Sequence, residues 1–471
     1  MEHSGTFRIT TLLLSKRIWV TILTSLGLAL LYSMRTCLTM AIVKMTDSIK
    51  SNDSNTGYEC KILNQSNHTG QYSWDQNLQS AILSAFFYGY TIFMIPGGIV
   101  ADRIGGKRTV FYATLCSSIF TLITPLSVYI NVYVLITVRI LEGILECPFY
   151  QGMVVILKKW CAEFEVTTFV AISVSGAYLG TIISQPLTGY LSSFNIMHGW
   201  PLAFYVFGVV GLIWCIFWHL LVTEYPHENP YLSEIEKIFI KKYAVRPAIP
   251  QPIPWFRLLT YSPFYAICIG EMGVGLYLYI ILSEMPTYLA NALGVDITTN
   301  GISNAMPFII LFISLNLSGF LTDYLATTFS SKRFIRGLMM FVGCTMSMIF
   351  NFLIESAGCS AFWVVLFISS SMLFLGAAFS QLGCNLVETF PMHTGVAFGV
   401  MNTAANVQGI VAPYFAELFT HGHIHDRMHW QHMFNTASVI LMICAILFAV
   451  FVRVSPPNWA LVIDENSKLN A

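Results

Sequence analysis

Arg139, Glu142 and Glu146 stand in the stretch Arg139-Ile-Leu-Glu142-Gly143-Ile-Leu-Glu146-Cys147-Pro148. Spacings of three and seven put all three on one helix face. The surrounding residues, from Val132 to Leu157, are almost all Val, Ile, Leu, Phe, Tyr or Met. A run of about 20 apolar residues spans a bilayer as a helix. Each charge at the centre of such a helix costs about 2.5–3.5 kcal/mol on insertion scales. A charged face on an apolar helix therefore looks onto a cavity or a partner helix. Arg139 and Glu142 can form a structural ion pair that holds helices together. Glu146 is then left over, because two acids and one base leave a surplus carboxyl. A surplus acid within a membrane is a candidate proton carrier. Glu142 would tune it through Arg139.

Arg35 lies deep in the first apolar block, close to Thr36 and Thr39. A guanidinium offers five donors in a planar fork that fits a carboxylate or a phosphate. The alternative is a salt bridge to a helix-borne acid. Glu271, beside Gly270, Gly273 and Gly275, can line a cavity, help coupling or pair with Arg35. Tyr88, Tyr178 and Asn406 can supply hydrogen bonds in a central cavity, or simply pack. Glu388 is either a helix-end residue reaching the interface or a site residue. His421, His423, His425, His429 and His432 cluster near the last outer loop. Such spacing can bind a metal or sense pH, but a solvated loop accounts for it, and no metal site is expected.

The elements that must position these residues are membrane helices. The 471 residues are 55% hydrophobic and 10% charged, against about 25% charged in a soluble domain. Long apolar blocks exclude a β-barrel, which alternates every second residue. Zero net charge gives no electrostatic footprint for nucleic acid. The reading is an all-α membrane protein with about twelve spans, near 18–43, 78–100, 109–130, 132–157, 167–191, 202–223, 263–290, 300–325, 334–354, 361–388, 395–419 and 433–454. The domain division expected is 1–223 for a first six-helix half, 224–259 for a cytoplasmic linker, 260–455 for a second half and 456–471 for a tail. No cleavable signal peptide is expected, because Ile18 to Val43 is too long for an apolar signal core. Most of the eleven cysteines fall in apolar blocks and read as packing residues. Cys60 and Cys359 fall in loops, with their pairing left open.

Lys and Arg concentrate in alternate loops, among them Arg103, Lys107 and Arg108, then Lys158 and Lys159, then Lys237, Lys241 and Lys242. The positive-inside rule puts those loops, both termini and the linker in the cytoplasm. The first outer loop then carries three Asn-x-Ser/Thr acceptors, at Asn52, Asn64 and Asn67. The expected result is a glycan on at least one of them in a eukaryotic host, seen as a mobility shift on enzymatic deglycosylation. An unglycosylated loop that a cytosolic protease can cut would reverse the topology.

Between the second and third blocks stands Gly98-Ile-Val-Ala-Asp102-Arg103-Ile-Gly105-Gly106-Lys107-Arg108. Its glycines suit a tight turn and close helix approach, and Asp102 can pair with a base or cap the next helix. The spacing resembles the signature loop of the major facilitator superfamily, with Gly106 where a basic residue is usual. Gly319 and Asp323, followed by Lys332 and Arg333, echo it in the second half, as a duplicated fold would.

Further stretches resemble solute carrier family 17, the branch that includes sialin, the vesicular glutamate transporters and the sodium–phosphate cotransporter-like proteins. They are Arg35-Thr-Cys-Leu-Thr, Phe86-Phe-Tyr-Gly-Tyr90 with Ile95-Pro-Gly-Gly98, Arg139 to Glu146, Gly199-Trp200 with Phe204-Tyr-Val-Phe-Gly208, and Asn458-Trp459-Ala460. The resemblance implies a twelve-helix fold with a central site between two halves that rock in alternating access. It places anion binding on Arg35 and proton coupling on Glu142 and Glu146, closest to the sialin pattern. Charged positions of the vesicular glutamate transporters read Leu83 and Val274 here, which disfavours glutamate loading. Another family histidine reads Val154.

The function expected is secondary active transport of a small organic anion, such as an acidic sugar or carboxylate, coupled to protons. A sodium-dependent inorganic phosphate cotransporter is the alternative within the class. A non-transporting sensor on a transporter scaffold is the alternative outside it. No nucleophile–base set, Walker loop or dinucleotide loop points to an enzyme. No cofactor is expected, the coupling ion being a proton or else sodium. The expected partners are the anion and the lipid bilayer, with the chain acting as a monomer. Which membrane holds it, lysosomal, vesicular or plasma, stays open.

Overall fold

The computed structural model describes residues 15–46, 60, 70–162, 165–194, 196–230, 232–243, 255–328, 332–390 and 394–457. All twelve apolar blocks are helical. In the first half they form α1 (Lys16–Met45), α2 (Gln76–Ile104), α3 (Gly106–Ile130), α4 (Val132–Glu146) with α5 (Pro148–Trp160), α6 (Val166–Ser192) and α7 (Trp200–Leu221). The linker contributes α8 (Glu234–Tyr243) and α9 (Trp255–Leu259). The second half holds α10 (Ser262–Asn291), α11 (Ile297–Thr328), α12 (Lys332–Leu353), α13 (Ala361–Thr389), α14 (Thr394–Thr420) and α15 (Arg427–Phe451). The fourth block, expected as one helix over 132–157, is broken immediately after Glu146. Pro148 has no N–H and so removes a hydrogen bond from the ladder, splitting the span into α4 and α5.

Burial in α3 shows why these helices suit lipid. Thr114, Ser117, Ser118, Thr121 and Thr124 are buried, while Tyr112, Ile119, Ile123 and Leu126 are exposed. A soluble helix does the opposite. Two of these hydroxyls donate to the preceding turn, Thr114 to the Val110 carbonyl at 3.0 Å and Ser118 to the Thr114 carbonyl at 2.7 Å. Polar side chains inside and apolar ones outside are the arrangement a bilayer selects.

The chain forms two compact units, Met1–Met45 with Ala81–Pro250, and Thr46–Ser80 with Gln251–Ala471. The stretch before α2 thus groups with the second unit instead of following chain order. A Cys60–Cys359 disulfide joins residues 299 apart. Gln76 Nε2 donates to Thr420 Oγ1 at 3.0 Å, and Ser80 Oγ donates to the Pro413 carbonyl at 3.0 Å. In the first unit α1 packs on α6 and α7, and α3 on α7 and α4. In the second, α10 packs on α14 and α15, and α12 on α15 and α13. Each unit therefore repeats one internal packing order, the mark of a duplicated fold.

Candidate functional site

The site begins with two glycines. A Cβ on Gly143 would lie 2.1 Å from the Phe86 carbonyl oxygen, and one on Gly89 would lie 2.0 Å from that of Ile140. Only glycine lets α2 and α4 meet backbone to backbone here. That contact carries the Phe86–Tyr90 segment against the charged face of α4.

On that face Arg139 Nη1 donates to Glu142 Oε2 at 2.7 Å, and Thr121 of α3 donates to Glu142 Oε1 at 3.1 Å. Glu142 is 0% exposed and has a partner at each oxygen, the single Thr121 hydroxyl proton being shared with the Ser117 carbonyl at 2.7 Å. Arg139 Nη2 also donates to the Arg35 carbonyl at 3.2 Å, tying α4 to α1. Arg139 and Glu142 therefore form the structural pair. Glu146, one turn on and 3% exposed, has no hydrogen-bond partner on Oε2. It lies within electrostatic reach of Arg35, Glu142 and Arg139.

Arg35 is buried on α1 inside a ring of aromatics. Its guanidinium carbon is 4.3 Å from the Phe87 centroid, 4.7 Å from Phe86, 5.1 Å from Tyr32 and 5.3 Å from Tyr90. These are cation–π distances. The rings stabilise the charge over its flat faces, and the fork of N–H groups lies along its edge. Tyr88 on α2 and Tyr178 on α6 are half-buried. Asn406, in the second unit, is buried and accepts from the Tyr279 hydroxyl at 2.9 Å. Glu271 on α10 is buried, and its Oε2 has no hydrogen-bond partner. Leu83 and Val274 are buried apolar side chains.

The signature loop departs from its expected chemistry in one respect. The turn expected over Gly98–Arg108 narrows to Gly105, because α2 runs through Gly98 to Ile104 and α3 begins at Gly106, with Asp102 and Arg103 exposed and Lys107 half-exposed. Asp102 does not cap α3. The cap residue is Gly105 at φ +94°, without a side-chain bond. Glu224, just beyond α7, does the work instead. It accepts from the backbone N–H groups of Gly106 at 3.0 Å and Lys107 at 2.9 Å, and pairs with Lys159. An acid at a helix N-terminus meets the positive end of the dipole. No local sequence signal marks Glu224, because its partners lie 65 to 118 residues away. Glu388 is likewise an ion-pair residue, 2.7 Å from Arg336 and 3.5 Å from Lys332.

Three of the histidines form local contacts, while His425 Nδ1 lies 3.0 Å from the Asn291 carbonyl. His429 lies 2.9 Å from Asp426 and His421 2.8 Å from Glu417. The His423 and His429 rings stack at 4.2 Å. Asn52, Asn64, Asn67 and the Asn458–Ala460 piece lie outside the described residues.

Known proteins agree with this architecture. The sequence profile of the Major Facilitator Superfamily matches residues 24–413 and again 267–465. Sialin of Ovis aries is 33% identical over 458 residues, covering 95% of this chain and 91% of that protein. A Drosophila melanogaster protein named as an inorganic phosphate cotransporter is 30% identical over 466 residues, covering 96% of this chain and 88% of that one. A solved bacterial homolog of the human lysosomal transporter Spinster shares the fold, with a TM-score of 0.69 at 15% identity, covering 93% of this chain and 97% of that one. The fold and the profile define a multi-pass membrane transporter rather than an enzyme. The chain belongs to the Major Facilitator Superfamily, in its solute carrier family 17 branch.

Proposed function

We propose that the protein is a proton-coupled transporter of small organic anions, working by alternating access. Arg35 takes the carboxylate of the substrate, and Glu146 carries the proton. The observation that supports this reading is the division of labour on α4. Arg139 and Thr121 donate to Glu142, while Glu146 Oε2 has no donor. A buried carboxylate short of donors is costly, and a proton relieves the cost. The aromatic ring around Arg35 favours a substrate with a flat carboxylate and an apolar or sugar-like body, which stacks on rings better than inorganic phosphate does.

Uptake into proteoliposomes, with proton and sodium gradients imposed separately, tests the reading. Organic-anion uptake that follows the proton gradient supports it. Phosphate uptake that follows sodium replaces it with phosphate cotransport, and no uptake of any anion favours a sensor. Arg35→Lys keeps the charge but loses the planar fork. At limiting substrate it is expected to lower uptake about tenfold or more, the size of a lost bidentate charge-assisted contact. Normal transport by both Arg35→Lys and Arg35→Ala would remove Arg35 from the binding role.

A further inference from the structure

Gln185 of α6 is 1% exposed and has no role in the proton step proposed above. The α1–α6 pair holds it firmly. A Cβ on Gly180 would lie 2.1 Å from the Ala29 carbonyl oxygen, so the two helices meet backbone to backbone. One turn on, Ser33 Oγ donates to the Gly180 carbonyl at 3.0 Å and Ser184 Oγ to the Ser33 carbonyl at 3.0 Å. Next to Ser184, Gln185 Nε2 donates to Thr39 Oγ1 at 3.1 Å. Thr39 commits its own hydroxyl proton to the Thr36 carbonyl at 2.8 Å, and Thr36 commits its proton to the Tyr32 carbonyl at 2.7 Å. Thr39 therefore offers Gln185 only lone pairs, which fixes the amide with its N–H groups toward Thr39. The amide oxygen Oε1 is turned away from Thr39. It is buried, and among the described residues no N–H or O–H serves it.

Thr39 stands four residues from Arg35, so the two share a face of α1, one turn of about 5.4 Å apart. Tyr32, three residues before Arg35, lies on that face too, against the guanidinium at 5.1 Å. On α6, Tyr178 and Gln185 are seven residues apart and share a face. The bond to Thr39 thus brings Gln185 to within a helix turn of the arginine. Neither threonine has a proton to give, so a carboxylate falls to Arg35 and not to them. Buried polar atoms normally have partners, and a hydroxyl or an N–H serves a neutral amide oxygen. We propose that Gln185 Oε1 determines specificity, accepting a hydrogen bond from a hydroxyl or amide N–H on the body of the acid whose carboxylate Arg35 holds. This role presupposes the organic-anion transport proposed above, and it names which such anions are preferred. One turn is close to the span of a hydroxylated six-membered ring. A ring acid with hydroxyls can reach both groups, whereas its hydroxyl-free counterpart leaves Oε1 unserved. Sites built around such a hydrogen bond reject the analogue that lacks it.

The test compares glucuronate with cyclohexanecarboxylate, a ring of the same size with the same carboxylate and no hydroxyl. Each, unlabelled, competes with labelled glucuronate for uptake into proteoliposomes holding the full-length protein. The wild type is expected to favour glucuronate by about tenfold or more, the worth of one hydrogen bond set against an unserved partner. Gln185→Met keeps the length of the side chain and removes the acceptor. It is expected to weaken glucuronate about tenfold and cyclohexanecarboxylate less than about threefold, so that the preference collapses. If Gln185 were only a tie between α1 and α6, the substitution would weaken both acids alike, and that result overturns the proposal. So does a wild type that takes both acids equally well. Arg35→Lys is expected to weaken both acids to the same degree, which separates loss of the carboxylate contact from loss of the hydroxyl contact. Should neither acid be taken up or compete in the wild type, organic-anion transport itself fails, and this role with it. Should Gln185→Met not fold, Thr39→Val removes the oxygen that orients the amide. It is expected to lower the preference about threefold or more, and an unchanged preference overturns the proposal.

Discussion

Glu146→Gln is expected to reconstitute and to bind substrate, yet to accumulate none of it when a proton gradient is imposed. Glutamine keeps the shape of the protonated acid and cannot release the proton. One pH unit corresponds to about 1.4 kcal/mol. A symporter moving one proton with one monovalent anion can therefore concentrate substrate about tenfold per unit of imposed gradient. The wild type should approach that limit, and the variant should stay at the external concentration. Such a cycle is electroneutral, so membrane potential, worth about 2.3 kcal/mol per charge per 100 mV, should matter little. Coupling requires that the substrate bind differently when Glu146 is charged and when it is neutral. An anion held by Arg35 competes for the local positive field that also acts on Glu146, which favours proton uptake at Glu146. Exchange of labelled for unlabelled substrate should survive in part, because it needs no net proton movement. Accumulation by Glu146→Gln at the wild-type rate would move the role to Glu142 or Glu271.

Arg139→Ala carries the largest expected effect on stability. Glu142 is fully buried, with Arg139 at 2.7 Å as its only countercharge among its hydrogen-bond partners. Removing one partner of a buried pair costs about 3–5 kcal/mol, because the other charge is left uncompensated. The same substitution removes the donor to the Arg35 carbonyl, so Arg35 should lose its placement as well. Arg139→Met combined with Glu142→Met should recover most of the thermal stability, since apolar residues of similar volume pack where the ions did. The double variant should still transport poorly, with Arg35 no longer tied to α4. An unfolding midpoint for Arg139→Ala within a degree of the wild type would show that the pair does not hold α4 in place.

The division on α4 between a paired acid and a surplus acid is partly visible in the chain alone. The spacing of Arg139, Glu142 and Glu146 marked one helix face and one surplus acid, because helix periodicity is local. The apolar blocks were visible for a related reason: bilayer thickness sets their length. Pro148 did not mark the end of α4 in the reading of the chain, which carried one helix over 132–157, because a proline inside an apolar block is often kept within one span, as Pro286 is in α10.

Partners were another matter. Nothing near Glu142 in sequence points to Thr121, and nothing near Arg35 shows that its carbonyl holds Arg139 across 104 residues. Asp102, close in the chain, could pair with a base or cap α3, whereas Glu224 meets the α3 N-terminus from beyond α7. Cys60 found Cys359 over 299 residues. The sequence determined which groups must be buried and on which face, because periodicity and bilayer thickness act along the chain. Only the tertiary structure decided which buried groups are satisfied, because hydrogen bonds and countercharges are supplied across helices packed from distant segments.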